Sequence, residues 1–110
     1  MNIQIYGKTK CFDTKKAERY FKERRIKFQR IDLTGTGLSR GEFLSVKASV
    51  GLEALIDSSI PGAEIFTYLA YDADKEEKLI ENPAFFKSPI VRNGKTASVG
   101  YCPDIWKDWE

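Results

Sequence analysis

The chain has 110 residues, 42% of them apolar, with seven Phe, five Tyr and two Trp; that suits one compact domain whose core needs no disulfide staples. Its 18 basic and 16 acidic residues leave a net charge of +2, so no strong basic excess points to direct nucleic-acid binding. Histidine is absent, which removes Ser-His and Cys-His catalysis, and two cysteines alone make a poor zinc site.

Residues 2–6 alternate with the two-residue period of a strand, Ile3 and Ile5 sharing one face. A loop over 7–13 leads into a helix over about 13–25, where Ala17, Tyr20, Phe21 and Arg24 fall at i, i+3, i+4, i+7. Asp13 or Thr14 is the expected cap, since a side-chain oxygen can accept from an unpaired N–H of the first turn. The cluster Lys22, Arg24, Arg25, Lys27, interrupted by Glu23, reads as a solvated helix face. Residues 28–33 read as a second strand with Ile31 and Leu33 buried. Strand, helix and strand in about thirty residues make a βαβ unit, with parallel strands and a right-handed crossover.

A glycine-bearing loop over 34–38 precedes Ser39-Arg-Gly-Glu42, a capping box in which Ser39 and Glu42 satisfy each other's backbone N–H groups. Helical pieces are expected at roughly 39–48, 52–57, 62–71 and 74–81, stopped by Asn82-Pro83. Residues 89–92 and 95–99 flank Asn93-Gly94, which predicts a hairpin with a type I′ turn. Residues 103–109 predict a short last helix with Ile105, Trp106 and Trp109 on one apolar face. The order β-α-β, helical insert, β-β-α is the α/β layout of a thioredoxin or glutaredoxin core with a mixed four-stranded sheet. The core is expected at 1–35 and 87–110 of a single domain, the insert at about 36–86. No apolar run reaches the length of a membrane span. The strand-like start shows no signal peptide, and two cysteines without an export signal point to the reducing cytosol.

Cys11 falls in the first βα loop, just before a helix. Backbone N–H groups and the helix dipole favour a thiolate there, and the thiolate is the nucleophile. Lys8, Lys10, Lys15 and Lys16 flank it and act in the same direction. The blander reading is a small, half-buried apolar cysteine. Ser88-Pro89 opens the third strand, where a cis proline would pack beside the Cys11 loop; an ordinary proline at a strand's first residue is the alternative. The antiparallel hairpin returns Cys102 to the Cys11 end of the sheet, as a bystander or as a partner thiol. A bridge would require Cα atoms within about 7 Å.

The opening Ile5-Tyr6-Gly7, the run Cys11-Phe-Asp-Thr14-Lys-Lys16-Ala17, Ile31-Asp32-Leu33 and the tail Ser88-Pro-Ile-Val91…Val99-Gly100-Tyr101 resemble the arsenate reductase-like (ArsC) family. That family includes glutaredoxin-coupled arsenate reductases, YffB-type proteins and Spx-type regulators. The resemblance implies a thioredoxin-like fold, Cys11 as catalytic cysteine, and supporting roles for Lys8, Lys10, Thr14, Lys15, Ser88 and Pro89. It implies no bound cofactor, glutathione as a co-substrate, and glutaredoxin or thioredoxin as partners. By resemblance Cys102 takes an active-site position from which it could resolve an oxidised Cys11. The family's oxyanion-binding arginines, however, fall on Ser88, Asp57 and Cys102. An aspartate there would repel an oxyanion, which argues against true arsenate reduction and for another cysteine-based thiol oxidoreduction. The alternatives are an Spx-like module contacting the RNA polymerase α subunit, or a non-catalytic member. Thr14 replaces the second cysteine of the Spx-type switch, and Gly51 matches the glycine those regulators use on the polymerase.

Overall fold

In the structure, a computed structural model describing residues 1–110, the period-two run at the N-terminus forms β1 (Ile3–Gly7), with Ile3 and Ile5 buried. Helix α1 (Phe12–Glu23) follows and buries Thr14, Ala17, Tyr20 and Phe21. Strand β2 (Phe28–Asp32) returns parallel to β1, with Ile3 opposite Phe28 and Gly7 opposite Asp32. Strands β3 (Ile90–Asn93) and β4 (Thr96–Val99) form the hairpin, and β3 pairs antiparallel with β1. The sheet order is β2-β1-β3-β4, the mixed four-stranded arrangement expected. No helix is long and apolar enough to cross a membrane.

Between β2 and β3 lie α2 (Leu33–Thr36), α3 (Arg40–Val50), α4 (Ile65–Tyr68) and α5 (Asp72–Glu81), with single 3-10 turns at Glu53–Leu55 and Pro83–Phe85. The capping box is present: Glu42 N–H donates to Ser39 Oγ at 3.2 Å and Ser39 N–H to Glu42 Oε1 at 2.9 Å. The chain ends in α6 (Pro103–Lys107).

Alternation along the central strands divides the core between the two sheet faces. Ile3, Ile5 and Val91 pack with Ala17, Tyr20 and Phe21 of α1 and Trp106 of α6. Tyr6, Ile90 and Ala97 pack on the other face with Phe43, Val46, Leu55, Phe66, Leu79 and Phe86 of the insert. Each Val, Ile, Leu or Phe among them stabilises the fold by roughly 1.5–3 kcal/mol on burial. The insert therefore supplies most of the apolar material on its face.

Several local expectations are corrected. The N-cap of α1 is Cys11, ahead of both Asp13 and Thr14. Leu33 is buried but starts α2 instead of ending β2, because the Asp32 carboxylate accepts the Thr34 N–H at 3.2 Å and caps a turn where a loop was expected. The helix expected over 62–71 shrinks to α4: it buries Phe66 but leaves Tyr68 exposed, so nothing apolar sustains a second turn. The hairpin turn is centred on Gly94-Lys95, with Asn93 paired to Thr96. Only Gly94 (φ 61°) has positive φ there, a type II′ requirement, because Asn93 stays in the strand and its Oδ1 accepts the Asn2 N–H at 3.1 Å. In α6 Trp106 is buried but Ile105 is exposed, so the three apolar residues do not share a buried face.

Candidate functional site

Cys11 sits where β1 hands over to α1. Its N–H donates to Lys8 O at 3.1 Å, and its extended backbone (φ −91°, ψ 116°) lets its own carbonyl accept the Lys15 N–H at 3.3 Å. The first turn of α1 lies close against the end of β1. A Cβ on Gly7 would stand 2.7 Å from Thr14 Oγ1, so this approach requires glycine. Thr14 is thereby buried and its hydroxyl reaches Ser88, with Thr14 Oγ1 and Ser88 Oγ 2.9 Å apart. Ser88 precedes Pro89, and the Ser88-Pro89 bond is cis.

Ser88 ties this end of the molecule together. Lys8 N–H donates to Ser88 Oγ at 3.2 Å, and the Cys11 thiol faces Ser88 O at 3.6 Å. Burial by itself raises the Cys11 pKa. The Ser88 and Thr14 hydroxyls and the N–H groups of Thr14 and Asp13 outweigh it, and the thiol ends below its ordinary value. Because the two hydroxyls also bond each other, one of their two protons is taken up between them. The other is left for the sulfur.

Lys8 is the flanking lysine that stands beside the thiol. Burial lowers its pKa, while Asp57 and Cys11 act to raise it, and its Nζ donates to Ala84 O at 2.9 Å. The other flanking lysines turn elsewhere: Lys15 Nζ lies 5.9 Å from the Phe12 ring centroid and Lys16 Nζ 5.6 Å from that of Tyr101. Lys10 is exposed. Asp57 comes from the insert, delivered by a short antiparallel pairing in which Asp57 N–H donates to Phe85 O and Lys87 N–H to Leu55 O, both at 2.8 Å. Burial would raise the Asp57 carboxyl. The hydroxyl and N–H of Ser59, with Lys8 and Lys87 nearby, hold it below the usual carboxylate range. Lys87 was not among the residues singled out from sequence; its place directly before Ser88-Pro89 was the available signal.

Cys102 also begins a helix, as N-cap of α6, and both cysteines are free thiols. Its sulfur packs against the cluster containing Trp106, and its thiol donates to Val99 O at 3.2 Å. Burial, with the Asp13 carboxylate adding to it, pushes its pKa above the ordinary value. Arg92, the arginine nearest Ser88 along the chain, is committed to Gln4 Oε1, Ser45 Oγ and Gly94 O. Gly51 closes α3 as its C-cap, with its N–H on Lys47 O at 2.8 Å, which accounts for the glycine without a polymerase contact. None of the molecule's clefts includes Cys11. The sulfur sits on an open surface that gives a small ligand little enclosure.

No protein-family model matches the sequence, and no curated protein matches it significantly. Solved structures do match. An arsenate reductase from Vibrio cholerae superposes with a TM-score of 0.85 at 19% identity, over 98% of this chain and 97% of that one. The chain carries the arsenate reductase-like form of the thioredoxin fold. An ArsC family related protein from Bacteroides fragilis superposes with a TM-score of 0.81 at 17% identity, over 100% and 98% of the two chains. The glutaredoxin-like NrdH-redoxin from Escherichia coli reaches 0.50 at 16% identity, over 100% and 96%. In this arsenate reductase-like fold the cysteine at the start of α1, the Ser88-Pro89 segment and the insert residue Asp57 meet at one end of the sheet.

Proposed function

We propose that this chain is a divergent ArsC-type protein acting as a single-cysteine thiol–disulfide oxidoreductase, with Cys11 as nucleophile. The observation that carries the reading is the depressed Cys11 thiol, held by the Ser88–Thr14 hydroxyl pair and the first N–H groups of α1. The Cys11 thiolate attacks one sulfur of a substrate disulfide. The S–S bond breaks, and the departing sulfur leaves as a thiolate that is protonated by solvent. A mixed disulfide remains on Cys11. A first donor thiolate, from glutathione or one half of a glutaredoxin or thioredoxin dithiol, attacks the Cys11 sulfur, releases the substrate's second sulfur as a thiol and stays disulfide-bonded to Cys11. A second glutathione, or the other half of the dithiol, attacks that donor sulfur, which forms the donor disulfide and frees the Cys11 thiolate, so the two donor thiols together give up two electrons.

Asp57 supports a substrate other than arsenate, because a carboxylate held ionised beside Lys8 and Lys87 neutralises charge an oxyanion would need. The open surface supports a disulfide carried on a protein. Cys102 enters this reading as a packing residue, since burial and the nearby Asp13 carboxylate raise its pKa and disfavour the thiolate a resolving cysteine requires.

The test is the iodoacetamide alkylation rate of Cys11 against pH in Cys102→Ser protein, together with glutathione-coupled reduction of a protein disulfide. Expected are a midpoint below the ordinary thiol value of about 8.5 and loss of turnover in Cys11→Ser. A midpoint at or above that value would falsify the reading.

A further inference from the structure

The outer face of α1 sets an exposed aromatic ring beside a run of cations. Phe12, Lys16, Arg19 and Glu23 follow one another at i, i+4, i+7, i+11, so they form one stripe along the helix. It begins at the residue after Cys11 and runs about 16 Å at 1.5 Å per residue. Phe12 is 77% exposed, a large cost-free contact surface only if something covers it. Lys16, Arg19 and Glu23 also line an open cleft of about 400 Å³, together with Tyr101 and Pro103.

The charges on this face are unbalanced. Every ion pair of the molecule lies elsewhere except the long 3.8 Å contact of Arg24 with Glu110. Lys15, Lys16 and Arg19 have no carboxylate partner. The three cation–π pairs of the molecule all lie here: Lys15 on Phe12, Lys16 on Tyr101, and Arg24 at 3.6 Å from the Tyr20 ring centroid. Such pairs hold long cations against flat rings and reduce the freedom they would lose on meeting an anion. Glu23 is the only carboxylate lining the cleft.

We propose that this face docks an acidic, extended segment of a partner protein, laid along α1 with one end at Cys11. An extended chain covers about 3.3 Å per residue, so about three residues span Phe12 to Arg19, short of the like-charged Glu23 carboxylate. Alternate carboxylates would meet Lys16 and Arg19, and an apolar residue would cover Phe12. The partner's identity as a disulfide carrier rests on the reading of Cys11 above; the docking itself does not. The exposed Phe12 ring beside the cations favours a peptide over a small anion, which the Lys16–Arg19 pair alone would satisfy.

The experiment uses the full chain as Cys11→Ser, so that binding is measured without any thiol exchange. The probe is a labelled hexaglutamate peptide followed by fluorescence anisotropy, with hexaglutamine, citrate and a single-stranded RNA oligomer as comparisons. Binding of hexaglutamate at about 0.02 M salt and its weakening by at least about tenfold at about 0.3 M is expected. Lys16→Gln with Arg19→Gln, both exposed, should weaken it about tenfold. Phe12→Ala should weaken binding of a peptide carrying one Leu at its Cys11 end and leave hexaglutamate unchanged. Arg40→Gln, whose partner is Glu77 on the insert, should leave binding unchanged. Equal binding of hexaglutamine, no effect of the double substitution, citrate competing as tightly as the peptide, or tighter binding of the RNA overturns the proposal. Failure of the thiol assay with peptide binding intact would overturn only the reading of Cys11.

Discussion

Cys11 and Cys102 each occupy the N-cap of a helix, yet their thiols are displaced in opposite directions. α1 runs for 12 residues and presents N–H groups of Asp13 and Thr14 to its cysteine, beside two hydroxyls. α6 has five residues; burial against Trp106, with the Asp13 carboxylate adding to it, raises its cysteine and outweighs the Ser98 hydroxyl and the Val99 backbone, which act to lower it. A helix start is thus not enough to activate a thiol. What decides is whether the donors around the sulfur outweigh burial and nearby carboxylates: two hydroxyls and two backbone N–H groups do so at Cys11, while fewer fail to at Cys102.

The largest expected effect comes from dismantling the Cys102 side. Trp106 is fully buried and its Nε1–H donates to Ser98 Oγ at 2.8 Å. Trp106→Ala should cost about 3–5 kcal/mol in denaturant unfolding. In the protein that remains folded it should accelerate Cys102 alkylation while leaving the Cys11 midpoint in place.

A smaller effect should follow from Ser88→Ala combined with Thr14→Val, which removes the hydroxyl proton that the pair leaves for the Cys11 sulfur. The Cys11 midpoint should move up, and its alkylation at pH 7 should slow about fivefold to tenfold, the worth of one partly exposed charge-assisted hydrogen bond of about 1–1.4 kcal/mol. Cys102 should not respond. An unchanged Cys11 rate would show that the helix N–H groups alone set the thiol.

The smallest effect is in stability against pH, and its sign separates the two thiols. Cys11, depressed in the fold, contributes stability that is present above the unfolded thiol pKa and lost as pH falls through the folded one. Cys102, raised in the fold, contributes stability that is present below the unfolded pKa and lost as pH rises through the folded one. Relative to wild type, Cys11→Ser should therefore lose more stability at pH 9.5 than at pH 6, and Cys102→Ser the reverse, in urea titrations at the two pH values.

The βαβ start, the capping box and the ββα tail were legible because each is specified by neighbours: period-two alternation at Ile3 and Ile5, reciprocal bonding of Ser39 and Glu42, and Gly94 at a turn. The insert was legible as helical but not in its pieces. α4 and the turn at Glu53–Leu55 are cut to the length that Phe66 and Leu55 can bury against the sheet. That length is fixed by distant residues such as Tyr6 and Ile90. The N-cap of α1 was misplaced by two or three residues because the observed cap, Cys11, makes no side-chain bond to the helix and so carries no local signal.

By itself the sequence determined the order of elements, the placement of Cys11 at a helix start and of Ser88-Pro89 before a strand, because hydrophobic period and turn chemistry act over a few residues. Only the tertiary structure decided which groups face the sulfur. Lys8 stays beside Cys11 while Lys15 and Lys16 turn to aromatic rings, and Asp57 arrives from the insert. Thr14 meets Ser88 across 74 residues of chain because Gly7 leaves room for it. A thiol's pKa is set by atoms within a few ångströms of it, and folding alone brings those atoms together.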